Sequence, residues 1–448
     1  MSKPEAASAA SPKESTAEEV ARKVLEPFER FLYVEAASGI ALLVGAAAAL
    51  IWANSPWADS YEAFWETPVA LGFGENAWAH SLRFVVNEGL MAIFFLIVGL
   101  EIRQEIHNGT LASVRLAALP LCAALGGVLL PALIYLSLNF GSPALEGWAT
   151  PTATDIAFAV GVLALLGSTV PTPLRKLLLA LAIIDDIAAI LIIAVCYSAD
   201  IQFSGFAIAG AGMLGVVLLR YFGIRPALPY VLPGLVLWLG VLESGIHPTI
   251  AGVILGLLTP VTTPRHPDRG ARFAARAVED LRRNVLHEAD MHALAKPHRN
   301  LRKAEGQLLA PAVHVQISLH PWVAFGIVPL FALANAGVSF SGLSFDSVQT
   351  WKMTAGIFLG LVLGKPLGIC AAAWLATRLG LATLPEGVNM RGIAVLGALG
   401  GIGFTMAIFI AGLAFSNPDM LATAKFTILA ASVLAAVIGV VVGKKVTR

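Results

Sequence analysis

Residues 177–194 read LLLALAIIDDIAAILIIA, an apolar run that is broken only by the adjacent aspartates Asp185 and Asp186. A helix of about 17–25 apolar residues is long enough to cross a lipid bilayer. A charged side chain at the middle of such a span costs roughly 2.5–3.5 kcal/mol on insertion scales, so charges found there usually serve a function. This stretch therefore predicts a membrane-spanning helix with a functional site at its centre.

The composition of the whole chain is that of a membrane protein. Of its 448 residues, 57% are hydrophobic and only 13% are charged, whereas soluble domains carry about 25% charged residues. A net charge of +1, without basic clusters interleaved with aromatic residues, argues against nucleic-acid binding. Cys122, Cys196 and Cys370 lie in apolar blocks, and their spacing suits neither zinc nor a disulfide framework.

Apolar blocks along the sequence predict an all-α membrane protein with about twelve transmembrane helices. Two blocks contain helix-breaking sequence, 149–166 around Pro151 and 392–415 around a run of glycines. The ninth block is 320–340, and the charged stretch from Asp268 to Lys303 before it predicts a solvated helix. The predicted organisation is a partly disordered cytoplasmic tail over 1–35, transmembrane helices 1–8 over 36–258, a cytoplasmic loop insertion over 259–315, transmembrane helices 9–12 over 316–443 and a cytoplasmic C-terminus over 444–448.

The distribution of Lys and Arg between the loops predicts the orientation, because cytoplasmic loops carry the excess of these residues. With the N-terminus inside, 26 of the 30 basic residues are cytoplasmic, and only Arg83, Lys352 and Lys425 lie on the opposite side. Lys365 belongs to neither group, because it lies within a span. Both termini are therefore predicted to be cytoplasmic.

Five ionisable residues fall inside predicted spans. If unpaired, they would together cost on the order of 10 kcal/mol. We therefore expect them to face one another or a water-filled cavity. They are Glu88, Asp155, Asp185, Asp186 and Lys365.

The two adjacent aspartates point in directions about 100° apart on a helix, so they can address different partners at one depth. Two carboxylates so close together cannot both ionise cheaply. Such a site binds a hard cation through oxygen when it is deprotonated and a proton otherwise, which is the mutual exclusion that an exchanger requires. The structural alternative is a buried pair held only by a cation or by backbone groups.

Asp155 follows the Pro151 interruption, where a broken span exposes half-helix ends. It is either an ion ligand or a charge that neutralises a half-helix dipole, and the second role is favoured. The Thr154 hydroxyl either provides an oxygen ligand to an ion or only caps a backbone group. Lys365 is expected to pair with one of the two aspartates, either as a counter-charge that an ion displaces or as a static salt bridge.

Glu88 and Glu101 bracket one span, and Glu101 forms a cluster with Arg103 and Glu105 near its cytoplasmic end. This cluster either draws cations into a funnel and responds to pH or is ordinary interfacial charge. His320 could titrate near neutral pH, although a helix-end position without a role is the simpler interpretation.

Six motifs resemble the NhaA family of bacterial sodium/proton antiporters. The resemblance extends from about Ala37 to the last span, and it leaves out the N-terminal tail and much of 262–310. The motifs are FFLIVGLE at 94–101, ATDIAFA at 153–159, GVLALLGS at 161–168, ALAIIDD at 180–186, GKPLG at 364–368 and GIGFTM at 401–406.

The resemblance implies a fold with inverted repeats in which two broken helices, holding Thr154–Asp155 and Gly400–Phe404, cross at mid-membrane. It implies that Asp186 is the main sodium ligand and that Asp185 carries a proton and pairs with Lys365. Asp155 would balance the half-helix dipoles at the crossing.

The resemblance implies electrogenic export of sodium or lithium in exchange for protons, driven by the proton gradient. We expect alternating access, no cofactor and a location in a bacterial inner membrane. The family is activated at alkaline pH, and it forms homodimers through a hairpin that corresponds to 66–78 here. The sequence departs from the family pattern at two places. Gln316-Ile317 replaces a Glu-His pair that is linked to pH sensing, and Gln104 stands where a basic residue is common.

Three other functional classes are alternatives to an antiporter. An intramembrane aspartyl protease needs its two aspartates on separate helices with a Gly-x-Gly-Asp motif, whereas Asp185 and Asp186 are adjacent. A channel would conduct without a proton gradient, and broken helices with an intramembrane lysine favour stepwise coupling instead. A sodium-coupled symporter for an organic solute would need a polar solute pocket, which the sequence does not suggest.

Overall fold

The computed structural model describes residues 37–71, 78–167, 170–198, 201–224, 226–261, 310–340 and 347–446, with isolated positions at 343, 345 and between 272 and 300. Almost all of this part of the chain is helical. A helix satisfies its own backbone hydrogen bonds, which is what a segment surrounded by lipid requires. The predicted tail over 1–35 and nearly all of the helix predicted from Asp268 to Lys303 lie outside the described residues.

The described elements follow one another along the chain. They are α1 (Ala37–Ala53), α2 (Ala58–Trp65), β1 (Pro68–Leu71), β2 (Trp78–Ser81), α3 (Leu82–Asn108), α4 (Val114–Asn139), a 3-10 segment (Pro143–Thr152), α5 (Ile156–Ala164), α6 (Thr172–Cys196), α7 (Phe203–Tyr221), α8 (Leu228–Glu243), α9 (Thr249–Leu258), α10 (Pro311–Asn335), α11 (Val348–Arg378), α12 (Met390–Gly400), α13 (Phe404–Ala414) and α14 (Pro418–Val446).

Seven of the described helices are long and apolar enough to cross a membrane: α3, α4, α6, α7, α10, α11 and α14. Two bent pairs pass the same criterion together, α1 with α2 at an angle of 118° and α12 with α13 at 47°. Helices α8 and α9 are apolar but shorter. The prediction of an all-α protein that crosses the membrane several times is therefore confirmed.

Two segments begin earlier than the sequence predicted. Helix α10 starts at Pro311, ahead of the boundary at 316 and well before the block at 320–340. Proline suits the first turn of a helix because its missing N–H would have no partner there, which favours Pro311 as the start. The first interrupted span begins with the 3-10 segment at Pro143, where the hydroxyl of Ser142 accepts a hydrogen bond from the N–H of Ala144.

Three long helices contain a π turn within the described residues. These turns are Val85–Leu90 in α3, Val323–Ile327 in α10 and Gly360–Gly364 in α11. A π turn accommodates one additional residue in an α-helix, and such turns are frequent at functional sites. Lys365 is the first residue after the turn in α11.

Close backbone packing joins α4 to α11. A Cβ atom built on Gly126 would meet the carbonyl oxygen of Gly368, and one built on Gly368 would meet the carbonyl oxygen of Gly126. Small residues let two membrane helices approach each other in this way. The contact fixes α11 beside the 3-10 segment, so that the Lys365 side chain reaches the backbone of Thr152.

The predicted hairpin after the first span is present in its described residues. Strands β1 and β2 pair antiparallel, with Pro68 opposite Ser81 and Leu71 opposite Trp78. The turn over 72–77 lies outside the described residues.

Candidate functional site

The two interruptions predicted from sequence contact each other directly. The 3-10 segment ends at Thr152, and α5 begins at Ile156. Helix α12 ends at Gly400, and α13 begins at Phe404. The backbone N–H of Asp155 in the first break donates to the carbonyl of Ile402 in the second, at 2.7 Å. The two breaks therefore satisfy each other's backbone: a free N–H of the first is paired with a free carbonyl of the second.

Asp155 contacts the N-termini of both half-helices. One of its carboxylate oxygens accepts a hydrogen bond from the N–H of Phe158 in the first turn of α5, at 3.0 Å. The other accepts from the N–H of Thr405 at 3.1 Å and from the Thr405 hydroxyl. A carboxylate at a helix N-terminus is stabilised by the unpaired N–H groups and the helix dipole, and here it serves two helices at once. The geometry agrees with the dipole-neutralising role.

Lys365 is fully buried, and all three of its N–H donors have acceptors. Its Nζ donates to the Thr152 carbonyl at 2.6 Å, to the Asp185 carboxylate at 2.8 Å and to the Thr154 hydroxyl. The expected pairing of the lysine with one of the two aspartates is confirmed, and Asp185 is the partner. The hydroxyl of Thr154 also lies 2.6 Å from Asp185 Oδ2 and 3.0 Å from the Gly400 carbonyl, so its single proton has two competing acceptors.

Asp185 and Asp186 are both 2% exposed, yet their surroundings differ. Asp185 Oδ2 belongs to the lysine network, whereas Asp185 Oδ1 has no hydrogen-bond partner among the described residues. Asp186 lines a cavity, and within the described part of the chain it forms no ion pair. Neighbouring residues on a helix point about 100° apart, and this separates the two carboxylates as expected. Asp185 faces the Lys365 ammonium group, and Asp186 faces the cavity.

The cavity has a volume of about 280 Å³ and extends from Asp186 towards the cytoplasmic end that was predicted for α3. Its walls carry carboxylates, amides and hydroxyls but no lysine or arginine among the described lining residues. Such a set of oxygen donors suits a hard monovalent or divalent cation. The polar lining residues are Ser38, Glu101, Gln104, Glu105, Thr154, Asp155, Asp186, Gln316, His320 and Thr405.

Two glutamine side chains form a hydrogen-bond network at the end of the cavity away from Asp186, near Glu101. Gln316 donates to Glu101 Oε1 at 3.2 Å, and Gln104 donates to the Gln316 side-chain oxygen at 2.7 Å. Glu105 accepts from the N–H of Thr110 at 2.6 Å, so one of its oxygens caps the turn after α3. Gln316 is therefore joined directly to Glu101, and Gln104 is joined to Glu101 through Gln316.

Two sequence candidates lie away from this cavity. Arg103 is not among the described residues that line it. Glu88 lies 13 positions before Glu101 on α3, which is about 20 Å along a helix. It faces Nδ1 of His247 at 3.7 Å, and its backbone carbonyl accepts from the Trp238 indole at 3.0 Å. The structure thus groups Glu101, Glu105 and His320 with the cavity and separates Glu88 from them.

Thr405 is a residue of the site that the sequence did not single out. Its N–H and hydroxyl both bind Asp155, and it lines the cavity. Its position two residues after Gly403, at the start of a half-helix, was a usable signal, because N-terminal N–H groups there need acceptors.

Comparisons with known proteins agree with this geometry. Residues 29–442 match the sequence profile of the family described as Na+/H+ antiporter 1. A protein named Na(+)/H(+) antiporter NhaA from Janthinobacterium sp. (strain Marseille) is 54% identical over 428 residues, which cover 95% of this chain and 94% of that protein.

Other relatives are similar to nearly the same extent. A protein of the same name from Cupriavidus necator is 53% identical over 95% of this chain and 92% of its own length. One named Na(+)/H(+) antiporter NhaA 2 from Sorangium cellulosum is 52% identical over 96% of this chain and 92% of its own length. A profile match over most of the chain, with relatives at this identity, establishes that the chain belongs to the Na+/H+ antiporter 1 family.

Proposed function

We propose that this protein is an electrogenic antiporter that exports sodium, or lithium, in exchange for protons. The observation that carries the proposal is the division between the two adjacent carboxylates. Asp185 is bound to Lys365, while Asp186 lines a cavity whose described walls offer oxygen donors. The relatives are named as antiporters of the same two ions, Na+ and H+. The chain is thus a transporter rather than an enzyme, and secondary active transport without a cofactor is part of the proposal.

In the proposed cycle, sodium enters the cavity from the cytoplasm and binds Asp186, with oxygen help from Thr154 or the free oxygen of Asp185. Protons from the opposite side then load both carboxylates, and the cation leaves. When Asp185 takes a proton, its ion pair with Lys365 is lost, so the lysine acts as a counter-charge that a proton displaces rather than as one half of a static bridge. Two protons against one monovalent cation move net charge, which makes the exchange electrogenic.

The proposed architecture has twelve spans with inverted repeats. The seven long helices are joined by α1, the interrupted segment ending in α5, the shorter α8 and α9, and the α12–α13 pair. The mutual contact of the two breaks through Asp155 supports a crossing at mid-membrane. The bias of basic residues supports cytoplasmic termini in a bacterial inner membrane.

Regulation and assembly complete the proposal. We assign pH sensing or cation attraction to Glu101, Glu105 and His320 at the cavity, with Arg103 and Glu88 acting from outside it. The hairpin predicted at 66–78, whose described strands β1 and β2 extend from Pro68 to Ser81, is assigned to a homodimer contact, with membrane lipids covering the remaining apolar surface.

The test is sodium-triggered dequenching of a pH-sensitive dye in acidified proteoliposomes, repeated with potassium. We expect a response to sodium and lithium and none to potassium. The variant Asp186→Asn should abolish the response, because it removes the carboxylate that faces the cavity. Its thermal midpoint should stay close to that of the wild type, because Asp186 forms no ion pair within the described chain. Full sodium-dependent exchange by this variant would overturn the assignment.

A further inference from the structure

Ser432 lies within α14, outside both interrupted spans, and is 1% exposed. Its hydroxyl oxygen accepts a hydrogen bond from the backbone N–H of Phe404 at 3.0 Å. Phe404 is the first residue of α13, and the first N–H groups of a helix have no acceptor in their own helix. Ser432 therefore supplies, from a different helix, the acceptor that the second break requires.

Phe404 has an unusual backbone conformation. Its φ is +22°, and within the described residues it is the single non-glycine residue with a positive φ. Side chains larger than hydrogen rarely adopt this region because the Cβ atom crowds the backbone. Such a residue stays there only when its surroundings hold it. The contacts that hold it include the Ser432 hydrogen bond and the Phe158 ring, whose centroid lies 5.4 Å from that of Phe404.

The conformation of Phe404 sets the position of the next residue. The N–H and the hydroxyl of Thr405 both bind Asp155. Asp155 in turn precedes α5 and follows Thr154, whose hydroxyl contacts Asp185. A rotation that relaxed Phe404 to negative φ would turn both Thr405 donors away from Asp155. It would also disturb the wall of the cavity beside Asp186.

We infer that Ser432 is a positioning residue for cation binding: it holds Phe404 so that the N-terminus of α13 presents Thr405 to Asp155. The inference rests on the proposed function, since it concerns the site at which sodium would bind. A residue in this role acts on the affinity of the site rather than on its chemistry, because it touches neither Asp185 nor Asp186 through any contact described above.

The experiment measures initial exchange rates against sodium concentration in proteoliposomes, for the wild type and a set of α14 variants. For Ser432→Ala we expect an apparent KM for sodium about tenfold higher, equivalent to about 1.4 kcal/mol, with the maximal rate within about twofold. The direction follows because a buried donor left without its acceptor is costly, and this cost falls on the conformation that binds sodium. Ser432→Thr keeps the hydroxyl and should stay within about twofold of the wild-type KM.

Thr427→Val is the matched control. Thr427 is also buried in α14, but among the described residues its hydroxyl bonds only to the carbonyl of Thr423 in the same helix. Its loss should leave the KM for sodium unchanged. Ser432→Cys replaces the hydroxyl by a weaker acceptor and should give an intermediate KM, so the inference stays testable if Ser432→Ala folds poorly.

The outcomes separate the two proposals. If Ser432→Ala and Ser432→Cys have the KM of Thr427→Val, or lose only thermal stability, Ser432 has a folding role alone and the inference is wrong. If the wild type itself shows no sodium-dependent exchange, the proposed function is wrong. A raised KM in both serine variants, with recovery in Ser432→Thr, supports the positioning role.

Discussion

Replacing Lys365 by methionine should destabilise the protein strongly, because it leaves a buried carboxylate without its counter-charge. Methionine keeps the unbranched stem but removes the donors to Thr152, Thr154 and Asp185. Removing one partner of a buried ion pair costs about 3–5 kcal/mol. The chain has 448 residues, and the unfolding entropy of soluble domains, about 2.1 cal/mol/K per residue, then amounts to roughly 0.9 kcal/mol/K. The expected fall in Tm is therefore about 3–5 °C.

A double-mutant cycle tests whether this loss belongs to the pair. Asp185→Asn alone should cost a similar amount, because the lysine then lacks its carboxylate. The double variant Asp185→Asn/Lys365→Met should lose much less than the sum, since no uncompensated charge remains. The assay is thermal unfolding of the purified protein in detergent, followed by tryptophan fluorescence.

Lys352→Met is the control for the cycle. Lys352 is an exposed lysine on the same helix, α11, so its replacement should change Tm by less than about 1 °C. If the losses of Asp185→Asn and Lys365→Met add, or if Lys365→Met melts like Lys352→Met, the two charges are not coupled and the reasoning from the buried network is refuted.

Further predictions concern coupling and packing. In proteoliposomes held at a fixed membrane potential, Asp185→Asn should lower the charge moved per sodium ion, because one proton carrier is removed; an unchanged ratio would show that Asp185 carries no proton. Gly368→Ala should destabilise the protein by about 1–3 kcal/mol, because its Cβ would meet the Gly126 carbonyl. Gly412→Ala, where a Cβ meets no atom within 4 Å, should melt like the wild type in the same thermal assay, and equal midpoints for the two variants would contradict the close helix contact.

The sequence was informative wherever a single residue conflicts with its local environment. Asp185 and Asp186 stand in an apolar run, and Lys365 is the lone basic residue deep in a span. Their cost in a bilayer is a local property, so it can be read without knowing the packing. Pro151 marked the first break in the same way, because a proline in a helix interior removes a backbone hydrogen bond and favours a break.

Contacts between distant elements could not be read in this way. Ser432 looks like any small polar residue of an apolar helix, and only the position of α14 against the second break gives it Phe404 as a partner. Glu88 and Glu101 were expected to bracket one span, but the sequence did not indicate His247 as the residue that Glu88 faces. The start of α10 at Pro311 was not predicted, because polar residues such as His314 and Gln316 precede the apolar block at 320–340.

The π turn at Gly360–Gly364 also determines how α11 tolerates changes in chain length. It holds one residue more than a regular α-helix would hold between the same end points. A one-residue deletion inside this segment can be absorbed by conversion to ordinary α-helix, which leaves both flanks in phase. The segment from Lys365 to Arg378 is regular α-helix without an additional residue. A one-residue deletion there would rotate one flank by about 100° relative to the other. Single-residue gaps among relatives are therefore expected to gather at this turn, where they leave the lysine aimed at Asp185.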